Sequence, residues 1–195
     1  MSRSMAGALW GMILATLAFG CGDEALPDLG SIPEMSLIDQ NGQAFDRSDL
    51  EGRTSIVDFV FTRCPAICPL LSQKMAHLQQ RYEGAGDDVQ LVSISVDPEY
   101  DTPEVLLEYA GQYRADPARW RFLTGDADDV NRIVVSGFRQ AMGEPERTAE
   151  GGVDVMHSSH FVLVDRTATI RGFYSNDADG TATLLTDVER LRSGR

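Results

Sequence analysis

Ser55-Ile56-Val57-Asp58-Phe59-Val60-Phe61 runs into Thr62-Arg63-Cys64-Pro65-Ala66-Ile67-Cys68-Pro69 and on to Leu70–Tyr82. The apolar run reads as a buried strand and Leu70–Tyr82 as a helix. A strand that delivers two thiols to a helix N-terminus suits redox chemistry or soft-metal binding. The helix dipole and its unsatisfied N–H groups favour the thiolate, the form that attacks disulfides and ligates metals. The spacing is Cys-x3-Cys. On a continuous helix, residues four apart share a face with Cβ atoms about 5–6 Å apart. Two thiolates there can converge on one ion, or close a disulfide, whose Cα separation is about 4.4–6.8 Å. Pro69 cannot donate to the carbonyl of residue 65. Either it sits in the first helical turn, or the Cys-x3-Cys segment is an irregular loop before the helix.

Working outward, strands and helices alternate. Met35–Asp39 with the turn Asn41-Gly42 reads as a short strand or hairpin that opens the domain. Val89–Val96 alternates apolar residues as a strand does. Asp101-Thr102-Pro103-Glu104 is a helix start, with a polar cap, proline in the first turn and an acid near the positive dipole end; that helix should run to about Tyr113. Trp120–Leu123 reads as a short strand and Ala127–Gln140 as a helix. Gly143–Val155 reads as a mobile loop or exposed hairpin. Phe161–Asp165 and Ile170–Tyr174 form an antiparallel pair, and Thr181–Leu191 is a last helix. The order implies an α/β fold, a central mixed sheet flanked by helices with an N-terminal strand or hairpin extension.

The first twenty residues are set apart from this fold. Arg3 supplies a positive start and Ala8–Phe19 is an apolar stretch short for a membrane span. Leu17-Ala18-Phe19-Gly20-Cys21 resembles a bacterial lipoprotein cleavage box with Cys21 as the lipidated residue. An uncleaved anchor helix and ordinary signal cleavage are the alternatives, and all three place the chain outside the cytoplasm, on the cell-envelope or periplasmic side. The expected organisation is a signal peptide over 1–20, a tether over 21–32 and one domain over 33–195. With three cysteines, lipidation of Cys21 leaves Cys64 and Cys68 as a pair. A disulfide between them would close too short a loop to be a useful staple, which favours a reactive or metal-binding role. The net charge of −13, with 30 acids against 17 bases, makes nucleic acid and anionic lipid surfaces poor partners.

Two cysteines rarely complete a metal site, and the chain has three histidines. His77 lies nine residues beyond Cys68, about 13.5 Å along a helix and on its opposite face, which excludes it as a co-ligand. His157 and His160 lie at the start of the late strand. Residues three apart on a strand face opposite ways, so one of the two would face the cysteines.

At this point the chain resembles the Sco/SenC copper chaperones of cytochrome c oxidase assembly. The resemblance rests on Asp58–Pro69, on Ser95-Val96-Asp97-Pro98-Glu99-Tyr100-Asp101-Thr102-Pro103, on Trp120–Gly125 and on His157-Ser158 with Leu163-Val164-Asp165. Ser36–Gly42 also fits, so it spans about Pro33 to Tyr174. It implies a thioredoxin-like fold and copper bound by Cys64, Cys68 and His157, with His157 preferred by its six-residue distance from Leu163. Thiolates suit Cu(I), and imidazole adds capacity for Cu(II). The family has an acid immediately before this histidine; here Met156 stands there. It reads as a core or loop residue, with a sharper alternative of a weak thioether ligand. Asp97 and Asp101 read as turn and cap residues, and Arg63 either as a cation able to lower the Cys64 pKa or, equally, as a solvated side chain.

The resemblance thus implies a membrane-tethered copper chaperone whose partner is the copper-site subunit of the oxidase or another copper chaperone. A thiol-disulfide oxidoreductase that reduces a partner's copper-ligand cysteines is the alternative, with Cys64 as nucleophile and Cys68 as resolving thiol. A peroxidase is disfavoured, because Val60-Phe61-Thr62-Arg63 lacks the Pro-x3-Thr-x2-Cys approach.

Overall fold

The structure is a computed structural model that describes residues 25–65, 67–84, 86, 88–147 and 153–194. Cys21 and the proposed signal peptide lie outside the described residues. The opening hairpin is β1 (Ser36–Asp39) and β2 (Ala44–Asp46), turned by Gly42 at φ +72°, a left-handed conformation glycine adopts without strain. Next come β3 (Thr54–Val60), α1 (Ile67–Arg81), β4 (Val89–Ser95), α2 (Pro103–Gln112) and β5 (Trp120–Thr124). α3 (Ala127–Arg132) passes into a π-helical turn, Ile133–Gly137. The hairpin β6 (Met142–Arg147) and β7 (Val153–His157), the pair β8 (Phe161–Val164) and β9 (Ile170–Tyr174), and α4 (Ala178–Arg192) complete the chain.

Seven strands form one sheet in the order β2-β1-β5-β4-β3-β8-β9. β3, β4 and β5 run parallel, while β1, β8 and β9 pair antiparallel. β3 lies inside the sheet, between β4 and β8, and is buried at every residue, as a strand covered on both faces must be. Leu71, Met75 and Leu78 of α1, Leu106 and Tyr109 of α2, and Leu184 and Val188 of α4 cover one face, over Ile56, Leu91, Trp120 and Phe122. Val130 of α3, the π-helical turn and Phe138 cover the other, where Phe138 meets Phe59 edge-on with ring centroids 5.6 Å apart.

Several sequence-based expectations are refined here. α1 begins at Ile67, three residues before the expected start, so Pro69 sits in its first turn, where a missing N–H costs nothing. Gly143–Val155 contributes to a hairpin that pairs as its own two-stranded sheet. His157 therefore ends β7 and does not begin the late strand, so the opposite-face argument for His157 and His160 does not hold. Thr102, with its hydroxyl accepting from Val105 N–H, caps α2, and Asp101 has a different task. The segment expected to be a tether packs on the domain from Leu26: Leu29 N–H donates to Ile170 O, and Ile32 is buried.

Candidate metal centre

β3 ends at Val60, and the chain turns over the C-terminal end of the parallel strands into α1. Cys64 lies in that turn and Cys68 in the first turn of α1; both are thiols, with no disulfide between them. Cys68 is fully buried and Cys64 is 8% exposed, so Cys64 is the more accessible sulfur. Cys68 N–H, one of the helix's unsatisfied donors, points to Cys64 Sγ at 3.4 Å.

His157 reaches this pair from the separate hairpin, its Nε2 3.5 Å from Cys68 Sγ. Its Nδ1 lies 3.0 Å from the Ser158 carbonyl, which can only accept, so Nδ1 carries the proton. With Nδ1 engaged by the carbonyl, Nε2 is the ring nitrogen turned toward the thiol, the arrangement a carbonyl partner imposes on a ligating histidine. Phe61 packs edge-on against the ring at 5.7 Å, fixing its orientation from the sheet side.

Cys64, Cys68 and His157 thus lie together at one end of the sheet. Among the described residues, no three His, Cys, Asp or Glu side chains already converge as a finished metal cage. The donor set fits a soft cation nonetheless, with two sulfurs and one imidazole nitrogen in a water-poor corner. The adjacent Cys64 thiol, then burial, push the Cys68 thiol well above its ordinary range. The proton stays on Cys68 until a cation or an oxidant displaces it.

His77 is exposed on α1, with its helix position away from the cysteines. His160 is exposed before β8, its Nδ1 2.9 Å from Ser158 Oγ. Met156 is 68% exposed; neighbouring strand residues point to opposite sides, so His157 turns inward and Met156 outward.

Carboxylates from the β4–α2 connection hold the turn before Cys64. Asp101, fully buried, accepts from Thr62 N–H at 3.1 Å, Thr62 Oγ1–H at 2.5 Å and Ser95 Oγ–H at 2.5 Å. Asp97 accepts from Arg63 Nη2 at 2.6 Å and Nε at 3.0 Å, and the guanidinium lies 4.1 Å over the Tyr100 ring. This corrects the expectation for Arg63, whose charge is committed to Asp97. Asp58 is the other polar group the sequence reading passed over. It sits in mid-β3, where one oxygen accepts from Ser93 Oγ–H at 2.5 Å and the other has no hydrogen-bond partner. Burial pushes its pKa up to about 7 against the Ser93 bond, with the His157 ring a further lowering influence. An acid interrupting an otherwise apolar strand was the signal available for it.

A mixed sheet carrying two thiols at a helix start, faced by an imidazole of fixed tautomer, defines a thioredoxin-like dithiol–histidine protein. The SCO1/SenC family profile matches residues 29–193, and the chain belongs to that family. Three solved structures are similar to it. A SCO1/SenC family lipoprotein from Bacillus anthracis is 28% identical with a TM-score of 0.75, over 87% of this chain and 99% of that one. Bradyrhizobium japonicum ScoI with copper bound is 25% identical with a TM-score of 0.71, over 83% and 99%. BsSco, a member of the Sco family of cytochrome c oxidase assembly proteins, is 26% identical with a TM-score of 0.70, over 86% and 98%.

Proposed function

We propose that this chain is a copper-binding assembly factor that holds copper through Cys64, Cys68 and His157. It delivers that copper to the copper-site subunit of cytochrome c oxidase, or receives it from another copper chaperone. The observation that carries the reading is His157 Nε2 standing 3.5 Å from Cys68 Sγ, with Nδ1 held by the Ser158 carbonyl. Two sulfurs suit Cu(I), and the imidazole extends the site to Cu(II). Bound copper would supply a soft Lewis-acidic centre. The protein's own residues orient the imidazole, keep water away and give up the thiol protons on loading. The lipoprotein-like box at Cys21 supports a membrane tether on the outer side of the cytoplasmic membrane, consistent with the description of the Bacillus anthracis relative as a lipoprotein. Among the described residues no helix is long and apolar enough to cross a membrane.

Adding Cu(II) to the reduced protein should give a thiolate-to-copper charge-transfer absorption that disappears in His157→Ala. A wild type with no such band, and no Cu(I) binding in competition with a chelator, refutes the proposal.

One observation favours a second reading, a thiol-disulfide oxidoreductase acting on a partner's copper-ligand cysteines: the two cysteines are adjacent, Cys68 N–H 3.4 Å from Cys64 Sγ, with Cys64 the more accessible residue. Cys64 thiolate would attack the partner disulfide and release one partner thiolate. Cys68 would then pass its proton to the released partner thiolate and attack Cys64 Sγ, displacing the second partner thiolate and leaving Cys64–Cys68 oxidised and the partner reduced by two electrons. Disulfide reductase turnover that survives His157→Ala selects this reading over the first.

A further inference from the structure

A cleft of about 530 Å³ opens on the flank of His157 away from the interior, lined by Arg139, His157, Ser158, Ser159, His160 and Phe173 among others. Its composition runs against that of the chain. With 30 acids to 17 bases overall, no Asp or Glu lines this cleft, while an arginine and two histidines do.

Arg139 is placed there by its neighbours. Phe138 and Gln140 on either side are buried; Gln140 N–H donates to Val134 O at 3.0 Å and its Nε2 to Phe138 O at 2.9 Å. Between them Arg139 takes φ +56°, a left-handed conformation rare for a residue with a Cβ. Its guanidinium lies over Gly30, where an added Cβ would stand 2.6 Å from Nη2. None of the ion pairs among the described residues uses Arg139, whereas Arg63, Arg121 and Arg171 all hold carboxylates. The far side of the cleft is equally ordered. His160 Nδ1 meets Ser158 Oγ at 2.9 Å, and Asn176 Nδ2 donates to Ser159 O at 3.1 Å. Phe173, 39% exposed, gives an apolar wall.

We propose that this cleft docks an acidic segment of the protein that exchanges copper or thiols with the Cys64–Cys68–His157 site. A carboxylate of that segment pairs with Arg139, and an adjoining apolar group rests on Phe173. The inference deepens the proposed function and takes the metal-site reading as its base. A carboxylate held at Arg139 places the partner's next residues over His157, the donor nearest the opening. A cation outside any ion pair among the described residues also attracts an acidic partner on a chain that otherwise repels it, so it biases where such a partner lands.

The test uses the reduced, copper-free protein and two synthetic peptides. Both carry a Cys-x3-Cys pair and a flanking aromatic; one has two glutamates beside the pair and the other two glutamines. Binding is followed by calorimetry and by amide chemical shifts. The wild type should bind the glutamate peptide about three- to tenfold more tightly, the scale of one partly exposed charged pair. The shifts should centre on Phe138–Ala141, Ser158–His160 and Phe173. Arg139→Gln should erase the preference, and Arg139→Glu should reverse it toward a lysine version of the peptide. Arg81→Gln, which removes the same charge from the far part of α1, should retain it. Equal affinity for both peptides, or equal loss in Arg81→Gln and Arg139→Gln, overturns the docking site. The copper absorption band of the wild type is recorded separately, so a missing band refutes the metal-site reading while the peptide preference is still judged on the copper-free protein.

Discussion

Replacing Asp58 by Asn should flatten part of the pH dependence of stability and raise stability at neutral pH. In the folded protein burial holds the Asp58 carboxyl protonated up to about pH 7, against an ordinary value near 3.8 in the unfolded chain. Between those values the folded state binds one proton more than the unfolded state. Stability from this group is therefore fully present below the unfolded pKa and is lost as pH rises through the folded one. Three units at about 1.36 kcal/mol each give about 4 kcal/mol as a ceiling. Local water entry and relaxation around the ionised group make about 2–4 kcal/mol a fair expectation. Asn keeps an acceptor for Ser93 and cannot ionise, though its amide adds donors where one carboxyl oxygen already lacks a partner. Urea denaturation of the reduced, metal-free protein from about pH 4.5 to 8 should show the gap between Asp58→Asn and wild type shifting toward the variant as pH rises, levelling above about 7. At pH 7.5 the variant should melt several degrees higher, since about 1 kcal/mol moves a domain of this size by about 2–4 °C. Parallel stability–pH curves for the two proteins would refute the reasoning.

Asp101→Ala strips Thr62 and Ser95 of a buried acceptor that takes three hydrogen bonds, and should cost about 3–5 kcal/mol in urea unfolding. Gly180→Ala should destabilise by about 1–3 kcal/mol, although alanine gains about 1 kcal/mol in a helix, because the added Cβ would collide with the Ser175 carbonyl oxygen. Thermal melts of the two proteins decide the sign. Met156→Ala should leave Cu(I) affinity within about twofold of wild type in a chelator competition, since the thioether points to solvent away from Cys68; a tenfold loss would restore Met156 as a ligand.

The parallel core of the fold was legible because its signals are local. The apolar run that flanks Asp58 and ends at Val60, the Thr102-Pro103 start of α2 and the alternation in Val89–Ser95 each specify their element without reference to the rest. The boundary at Ile67 was not legible, since Pro69 is compatible with both a first turn and a preceding loop. Only the packing of Leu71 and Met75 on the sheet fixes where the helix begins. The SCO1/SenC resemblance read from the sequence agrees with the family match over residues 29–193. The Cys64–Cys68 pair announced itself through spacing. The approach of His157 depends on how a separate hairpin packs, which no periodicity encodes; the six-residue distance from Leu163 pointed to it only by likeness. Asp101 and Arg63 were misjudged for a related reason. A cap residue and a buried anchor look alike in Asp101-Thr102-Pro103, and whether an arginine faces a thiol or a carboxylate is settled by residues 34 positions away.

Among the described residues, the hairpin that carries His157 shares no ladder with the seven-stranded sheet. A cation gripped jointly by Cys68 and His157 would therefore rivet an outlying arm to the body, across 89 residues of chain. Undoing the grip by moving that arm would leave the seven-stranded ladder paired but would uncover Val155, which is buried in the core cluster with Phe138. Loading and unloading would then be governed by the docking of two β-strands, a far smaller barrier than unfolding the domain, and a partner that pulls on the arm would hold the release lever.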